Sequence, residues 1–212
     1  MATAPQRGGL YTTINPASSL SEAYKTLRTN IRYSSTEKIY KVLLITSASK
    51  GEGKSTTAAN LAVTYSQEGH KVLLLEGNLR DPSLKTMFPN VKSVGLTDVL
   101  TGQRHLSDCI SATDVPNLNV LLAGTHTPNP SELIGSERMK IMLNELSQIY
   151  DVIIIDSPPA LPLADAQILG TLSDGVVLVV GAGKSSKADV KRVKSNMEHV
   201  HAHVVGAVLN QT

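Results

Sequence analysis

The stretch Ala48-Ser49-Lys50-Gly51-Glu52-Gly53-Lys54-Ser55-Thr56 follows the apolar run Val42-Leu43-Leu44-Ile45 and precedes Thr57-Ala58-Ala59-Asn60-Leu61-Ala62-Val63. The order is buried strand, glycine-rich turn, helix start, which is the context a phosphate-binding loop requires. The glycines let the backbone curl so that successive N–H groups converge on an anion, and the new helix adds the positive end of its dipole. In such a loop Lys54 reaches the β- and γ-phosphates of a nucleotide and Ser55 places its hydroxyl on Mg²⁺. Gly51, Glu52, Gly53, Lys54, Ser55 and Thr56 are therefore the candidate nucleotide-binding residues. The usual G-x-x-x-x-G-K-[ST] spacing is broken only at its first position, where Ala48 replaces glycine; a small residue serves there if its φ is negative.

Outward from the loop, strands and helices alternate. Lys41–Ser47 is the feeding strand, and a helix runs from Lys54 to about Gln67, with Gly69 as its stop. Lys71–Leu75 is the next strand and leads into Glu76-Gly77-Asn78-Leu79-Arg80. A short helix is expected after Pro82 through Met87 and Phe88, then a helical turn or two between Gly95 and Gly102, then a strand over Asn119–Ala123. Ser131 and Glu132 open what reads as one long helix, with Leu133, Met139, Met142, Leu143 and Leu146 as its buried positions. Asp151–Asp156 is apolar on both faces, as a central parallel strand must be. A helix from about Leu163, a strand over Gly175–Gly181, a charged helix capped by Ser185 or Ser186 and a last strand over Val204–Asn210 complete the chain. The pattern specifies an α/β fold, a doubly wound, mostly parallel sheet flanked by helices, with ligands at the C-terminal strand ends. Residues 1–17 read as an extended arm and 18–212 as a single domain.

A length of 212 residues suits one such domain. The formal net charge of +2 is too small to drive nucleic-acid binding, and the 3% aromatic content leaves no platform for stacking bases. A single cysteine, Cys109, excludes an internal disulfide. No run approaches the roughly 18 apolar residues of a membrane-spanning helix, so the chain is expected to be soluble. Lys187, Lys191 and Lys194 read as a solvated helix face.

Chemistry at neighbouring strand ends is the next requirement. Asp156 closes the most apolar strand, a Walker B pattern in which the carboxylate holds Mg²⁺; followed by Ser157-Pro158-Pro159, it also fits a helix cap. Glu76 and Asn78 stand at the second strand end. On the N-terminal side, Leu20, Tyr24, Leu27 and Ile31 share one helical face, and Glu22, Lys25 and Arg28 recur every third residue beside it.

Several further segments resemble the bacterial tyrosine kinases of polysaccharide export: Glu22-Ala23-Tyr24-Lys25-Thr26-Leu27-Arg28-Thr29-Asn30, the loop itself, Arg80 with Pro82, Pro128-Asn129-Pro130-Ser131-Glu132-Leu133, Asp156-Ser157-Pro158-Pro159 and Ala164-Asp165-Ala166. The resemblance covers nearly the whole chain. It implies an ATP- and Mg²⁺-dependent kinase that phosphorylates tyrosines in its own tail and in other proteins. It also implies a transmembrane activator that recruits the domain to the inner face of the membrane, a role in capsule or exopolysaccharide synthesis, and homo-oligomers that in some members are octameric rings. The ring helix of the family, Glu-x-x-Arg-x-x-Arg, corresponds to Glu22, Lys25 and Arg28, with Lys in the middle place. The catalytic group it implies is Lys54, Glu76, Asn78, Arg80 and Asp156, with Ser55, Glu76 and Asp156 on the metal.

Two features depart from the family. The family's second motif carries two aspartates, which support Mg²⁺ and activate the tyrosine hydroxyl; here they are Glu76 and the neutral Asn78. The family's tyrosine cluster has no counterpart before Thr212, and Tyr11, Tyr24, Tyr33, Tyr40, Tyr65 and Tyr150 are scattered. Asn210 is either an adenine contact or a turn residue. Two other readings compete with the kinase: a weakened, MgATP-dependent assembly module, and a partition or division-site ATPase. The latter needs a lysine where Ser49 stands.

Overall fold

The computed structural model describes residues 9–210. Seven strands form one sheet in the order β3-β4-β2-β5-β1-β6-β7. These are β1 (Val42–Ser47), β2 (Val72–Glu76), β3 (Ser111–Ala112), β4 (Leu118–Leu121), β5 (Val152–Asp156), β6 (Gly175–Gly181) and β7 (Val204–Asn210). Every pairing is parallel except β3 with β4. β1, β2 and β5 are buried along their whole length, which is why they read as continuous apolar runs.

Alternate residues of these strands feed two cores. Leu73, Leu75, Ile153 and Ile155 pack on one face with α8 (Glu137–Ile149) and α9 (Asp165–Thr171). Val72, Leu74, Val152 and Ile154 pack on the other with α3 (Lys54–Gln67). α3 is buried on nearly every side, from Thr57 to Ser66, because the sheet lies beneath it and α2 (Ser19–Arg32) lies above. Ala58, Ala59 and Ala62 keep it slim enough to be sandwiched. On α2, Tyr24 and Ile31 are buried as expected, whereas Leu20 is 41% exposed.

Three departures from the sequence reading have local causes. Residues 1–8 of the expected extended arm lie outside the described residues, and the remainder contains a helical turn, α1 (Tyr11–Ile14). Asn60 of α3 holds that turn: its Oδ1 accepts from the N–H and the hydroxyl of Thr12 at 3.0 Å each, and its Nδ2 donates to the carbonyl of Gly9 at 2.6 Å. The expected long helix from Ser131 is two, α7 (Pro130–Ile134) and α8, separated by Gly135 and Ser136. Ser136 caps α8 by accepting from the Met139 N–H, so Ile134 is buried and Leu133 only partly so. Of the two serines before α10 (Lys187–His199), Ser186 is the cap, accepting from the Asp189 N–H at 3.0 Å.

Candidate nucleotide and phosphoryl-transfer site

Register brings the site together. Ile45 of β1 and Glu76 of β2 both lie opposite Asp156 of β5, so the loop after β1 and two carboxylates share one edge of the sheet. Gly51 and Gly53 have φ of +81° and +90°, the left-handed region open to glycine. Ala48, in the first glycine's place, is not among the positive-φ residues and packs into the core. The N-cap of α3 is Gly53, which has no side chain to occupy the first-turn amides, so those donors face the loop.

The rear of the loop is clamped. Asn210 donates through Nδ2 to the Glu52 carbonyl at 2.8 Å, and a Cβ on Gly53 would come within 2.0 Å of that nitrogen. Lys184 donates to the Gly51 carbonyl at 3.0 Å, and Ser185 donates to the buried Glu52 carboxylate. Asn210 thus serves the loop's shape, a use outside both alternatives posed by the sequence. Lys184 and the loop-facing role of Ser185 lie far from the motif in sequence; the paired serines 185 and 186, only one of which is needed as a cap, are the signal the sequence carries.

Lys54 is buried at the loop's end. Burial pulls its pKa down, opposed by the negative charges of Asp156, Glu52 and Asp81. Asp156 is fully buried and neither carboxylate oxygen has a hydrogen-bond partner. Burial pushes its pKa up to about 7, against the opposing pull of the nearby Ser55 hydroxyl and Lys54, while Glu76 adds to the rise. Two orphaned, buried carboxylate oxygens beside a loop serine fit a hard divalent cation, which strips the cost of leaving them unpaired. Among the described residues no three His, Cys, Asp or Glu side chains cluster as a metal cage.

Glu76 is also buried, but both its oxygens are engaged. Oε1 accepts from the N–H groups of Ser83 at 2.5 Å and Leu84 at 2.7 Å, and Oε2 from that of Ala123 at 3.0 Å. Burial raises its pKa and these three amides oppose the rise. The longer glutamate stem reaches across to β4's end and to α4 (Leu84–Met87). Asn78 is spent on its own loop, donating to the Asp81 carbonyl at 2.7 Å and accepting from the Asp81 N–H at 3.2 Å.

Arg80 borders the same cleft as the loop, and its guanidinium is engaged by neighbouring elements. It forms a two-pronged pair with Asp165 at 2.8 and 3.1 Å and donates to Ser131 at 2.9 Å. Burial raises the Asp165 pKa, but hydrogen bonds from Arg80 and Ser131 together hold it below the usual range. Ser83, unanticipated from sequence, meets the Ser55 hydroxyl at 3.0 Å. Above these groups lies a cleft of about 670 Å³ bounded by Lys50, Lys54, Ser55, Asn78, Asp81 and Pro158. A second groove of about 460 Å³ runs between α2 and β7.

On α2, Lys25 pairs with Glu22 at 2.7 Å. Arg28 instead points inward, donating to the Thr64 carbonyl at 2.6 Å and lying 3.4 Å from Glu68. Among the described residues, no helix is long and apolar enough to cross a membrane.

A doubly wound sheet, a glycine loop opening a helix and a buried carboxylate at the next strand end define a P-loop nucleotide-binding domain. Comparisons with known proteins agree. The family model described as an AAA domain, AAA_31, matches residues 36–209. The chain is 44% identical over 195 residues to tyrosine-protein kinase YwqD of Bacillus subtilis (strain 168), covering 92% of this chain and 82% of that protein. It is 42% identical to putative tyrosine-protein kinase CapB of Staphylococcus aureus, covering 95% and 89%. The kinase domain of Escherichia coli tyrosine kinase ETK superposes with a TM-score of 0.92 at 29% identity, covering 99% and 82%. The chain belongs to this family of bacterial tyrosine-protein kinases.

Proposed function

We propose that the protein is an ATP-dependent protein-tyrosine kinase serving capsule or exopolysaccharide synthesis. The observation that carries the reading is the pairing of a phosphate loop with the orphaned carboxylate of Asp156, because nucleotide binding and cation binding then meet at Lys54 and Ser55. The amides of Gly51–Thr56 and the Lys54 ammonium hold the β- and γ-phosphates. Ser55 and Asp156 would hold Mg²⁺, which supplies charge neutralisation as the terminal phosphoryl group departs. Glu76 holds Ser83 and Leu84 in place, so its service to the metal is indirect. Arg80, tied to Asp165 and Ser131, fixes the loop after β2 against α7 and α9.

The resemblance of the loop and of the segments around Glu22, Pro128 and Asp156 to these kinases is the ground for placing the domain in the cytoplasm beside a transmembrane activator. The same resemblance is the ground for a homo-oligomer in which Glu22 and Lys25 of α2 face a neighbouring copy. Arg28, the third residue of that helix motif, is also engaged within its own subunit, with the Thr64 carbonyl and Glu68.

The test is MgATP binding and transfer of the γ-phosphoryl group to a synthetic tyrosine peptide. Lys54→Met is expected to abolish transfer and weaken nucleotide binding by more than about tenfold. Normal transfer in that variant would overturn the proposal. Nucleotide-controlled oligomer size with no transfer by the wild type would replace it with an assembly module.

A further inference from the structure

Moving a phosphoryl group onto a tyrosine hydroxyl releases a proton, and a positioned base in the open part of the cleft that takes it speeds the transfer. The buried carboxylates are committed elsewhere. Glu76 has both oxygens on backbone amides. Asp156 is fully buried at the cation position. Glu52 is fully buried beneath the loop, one oxygen held by Ser185 and the other enclosed without a partner, so it does not reach the open cleft, and Asp165 is bound to Arg80. Asn78 is a neutral amide with no proton-accepting capacity at ordinary pH.

Asp81 differs from all of these. Its side chain is 62% exposed, it borders the same cleft as Lys54 and Ser55, and its charge acts on Lys54. The Asn78 side chain fixes its backbone through both its N–H and its carbonyl. Lys50, from the opposite lip of the cleft, meets its carboxylate at 2.6 Å. An exposed pair of this kind contributes little to stability, so it opens readily when a substrate enters between the lips.

We propose that Asp81 is the proton acceptor for the incoming tyrosine hydroxyl, a catalytic residue that replaces the carboxylate absent at position 78. The proposal rests on the kinase reading above. The phenolic oxygen forms a bond to the γ-phosphorus, and the bond from that phosphorus to the β–γ bridging oxygen breaks, its electrons leaving with ADP. The phenol proton passes to the Asp81 carboxylate and from there to solvent, to which the side chain is open. Lys50, released from Asp81, keeps its positive charge at the mouth of the phosphate loop.

The experiment compares wild type and Asp81→Asn on two synthetic peptides, one with a single tyrosine and one with tetrafluorotyrosine, whose phenol is already ionised at neutral pH. On the tyrosine peptide Asp81→Asn is expected to lower kcat by about a hundredfold, the usual contribution of a general base. On the fluorinated peptide, which needs no base, the deficit shrinks to less than about tenfold. Affinity for a fluorescent ATP analogue with Mg²⁺ is expected to stay within about threefold, and the thermal midpoint is expected to be unchanged. An equal deficit on both peptides, no deficit on either, or a proportionate loss of nucleotide affinity overturns the assignment. If the wild type transfers to neither peptide, the kinase reading falls and the assignment with it.

Discussion

At the scale of single residues, the pH response is governed by Asp156. Its folded pKa is raised from 3.8 to about 7, so between those values the folded protein holds a proton that the unfolded chain has lost. Stability therefore falls as pH rises through that window and levels off above it. Glu76 shifts in the same direction and adds to the slope. In the presence of EDTA, the thermal midpoint of the wild type is expected to be several degrees higher at pH 5 than at pH 8, with a flatter profile for Asp156→Asn. Mg²⁺ with nucleotide favours the ionised carboxylate, so its affinity is expected to rise with pH up to about 7, as titration calorimetry would record. Gly53 is the other sensitive position. Gly53→Ala meets both the left-handed φ of +90° and the Asn210 amide, and nucleotide binding by that variant is expected to drop below detection, whereas Gly206→Ala, with nothing near its Cβ, is expected to bind normally.

At the scale of elements, α1 depends on α3 through one side chain. Asn60→Ala strips four hydrogen bonds from a buried junction, two to Thr12, one to Gly9 and one to Thr56. The expected cost is about 3 kcal/mol, read from urea unfolding. The dependence explains why α1 was illegible: four residues have no helical strength of their own, and the partner that orders them lies 48 positions away. The strands were legible because burial on both faces leaves an unbroken apolar run, as in Val152–Asp156. The break at Gly135 and Ser136 was written in the sequence as a glycine followed by a capping serine, but the apolar spacing on either side masked it. For the site, Lys54, Ser55 and Asp156 were readable because a local motif or a strand end specifies each. The clasp of Glu76 on Ser83, Leu84 and Ala123, and that of Arg80 on Asp165 and Ser131, join separate elements and leave no local pattern.

At the scale of the whole molecule, the strand order decides what can influence what. β1, carrying the phosphate loop, sits between β5, which brings Asp156, and β6, which leads to β7. Assembly is expected to use the outer face of α2. Glu22→Ala with Lys25→Ala should lower the sedimenting mass of the protein and leave its thermal midpoint within about 2 °C, whereas Arg28→Ala, which frees the Thr64 carbonyl, should lower the midpoint itself. At the far edge, Asn210 closes β7 and grips the Glu52 carbonyl from behind the loop. A label or fused segment attached just beyond Asn210 is in this sense fastened to the nucleotide site. A tug on that end of the chain is felt at the phosphates, and a fluorophore tethered there would report their arrival.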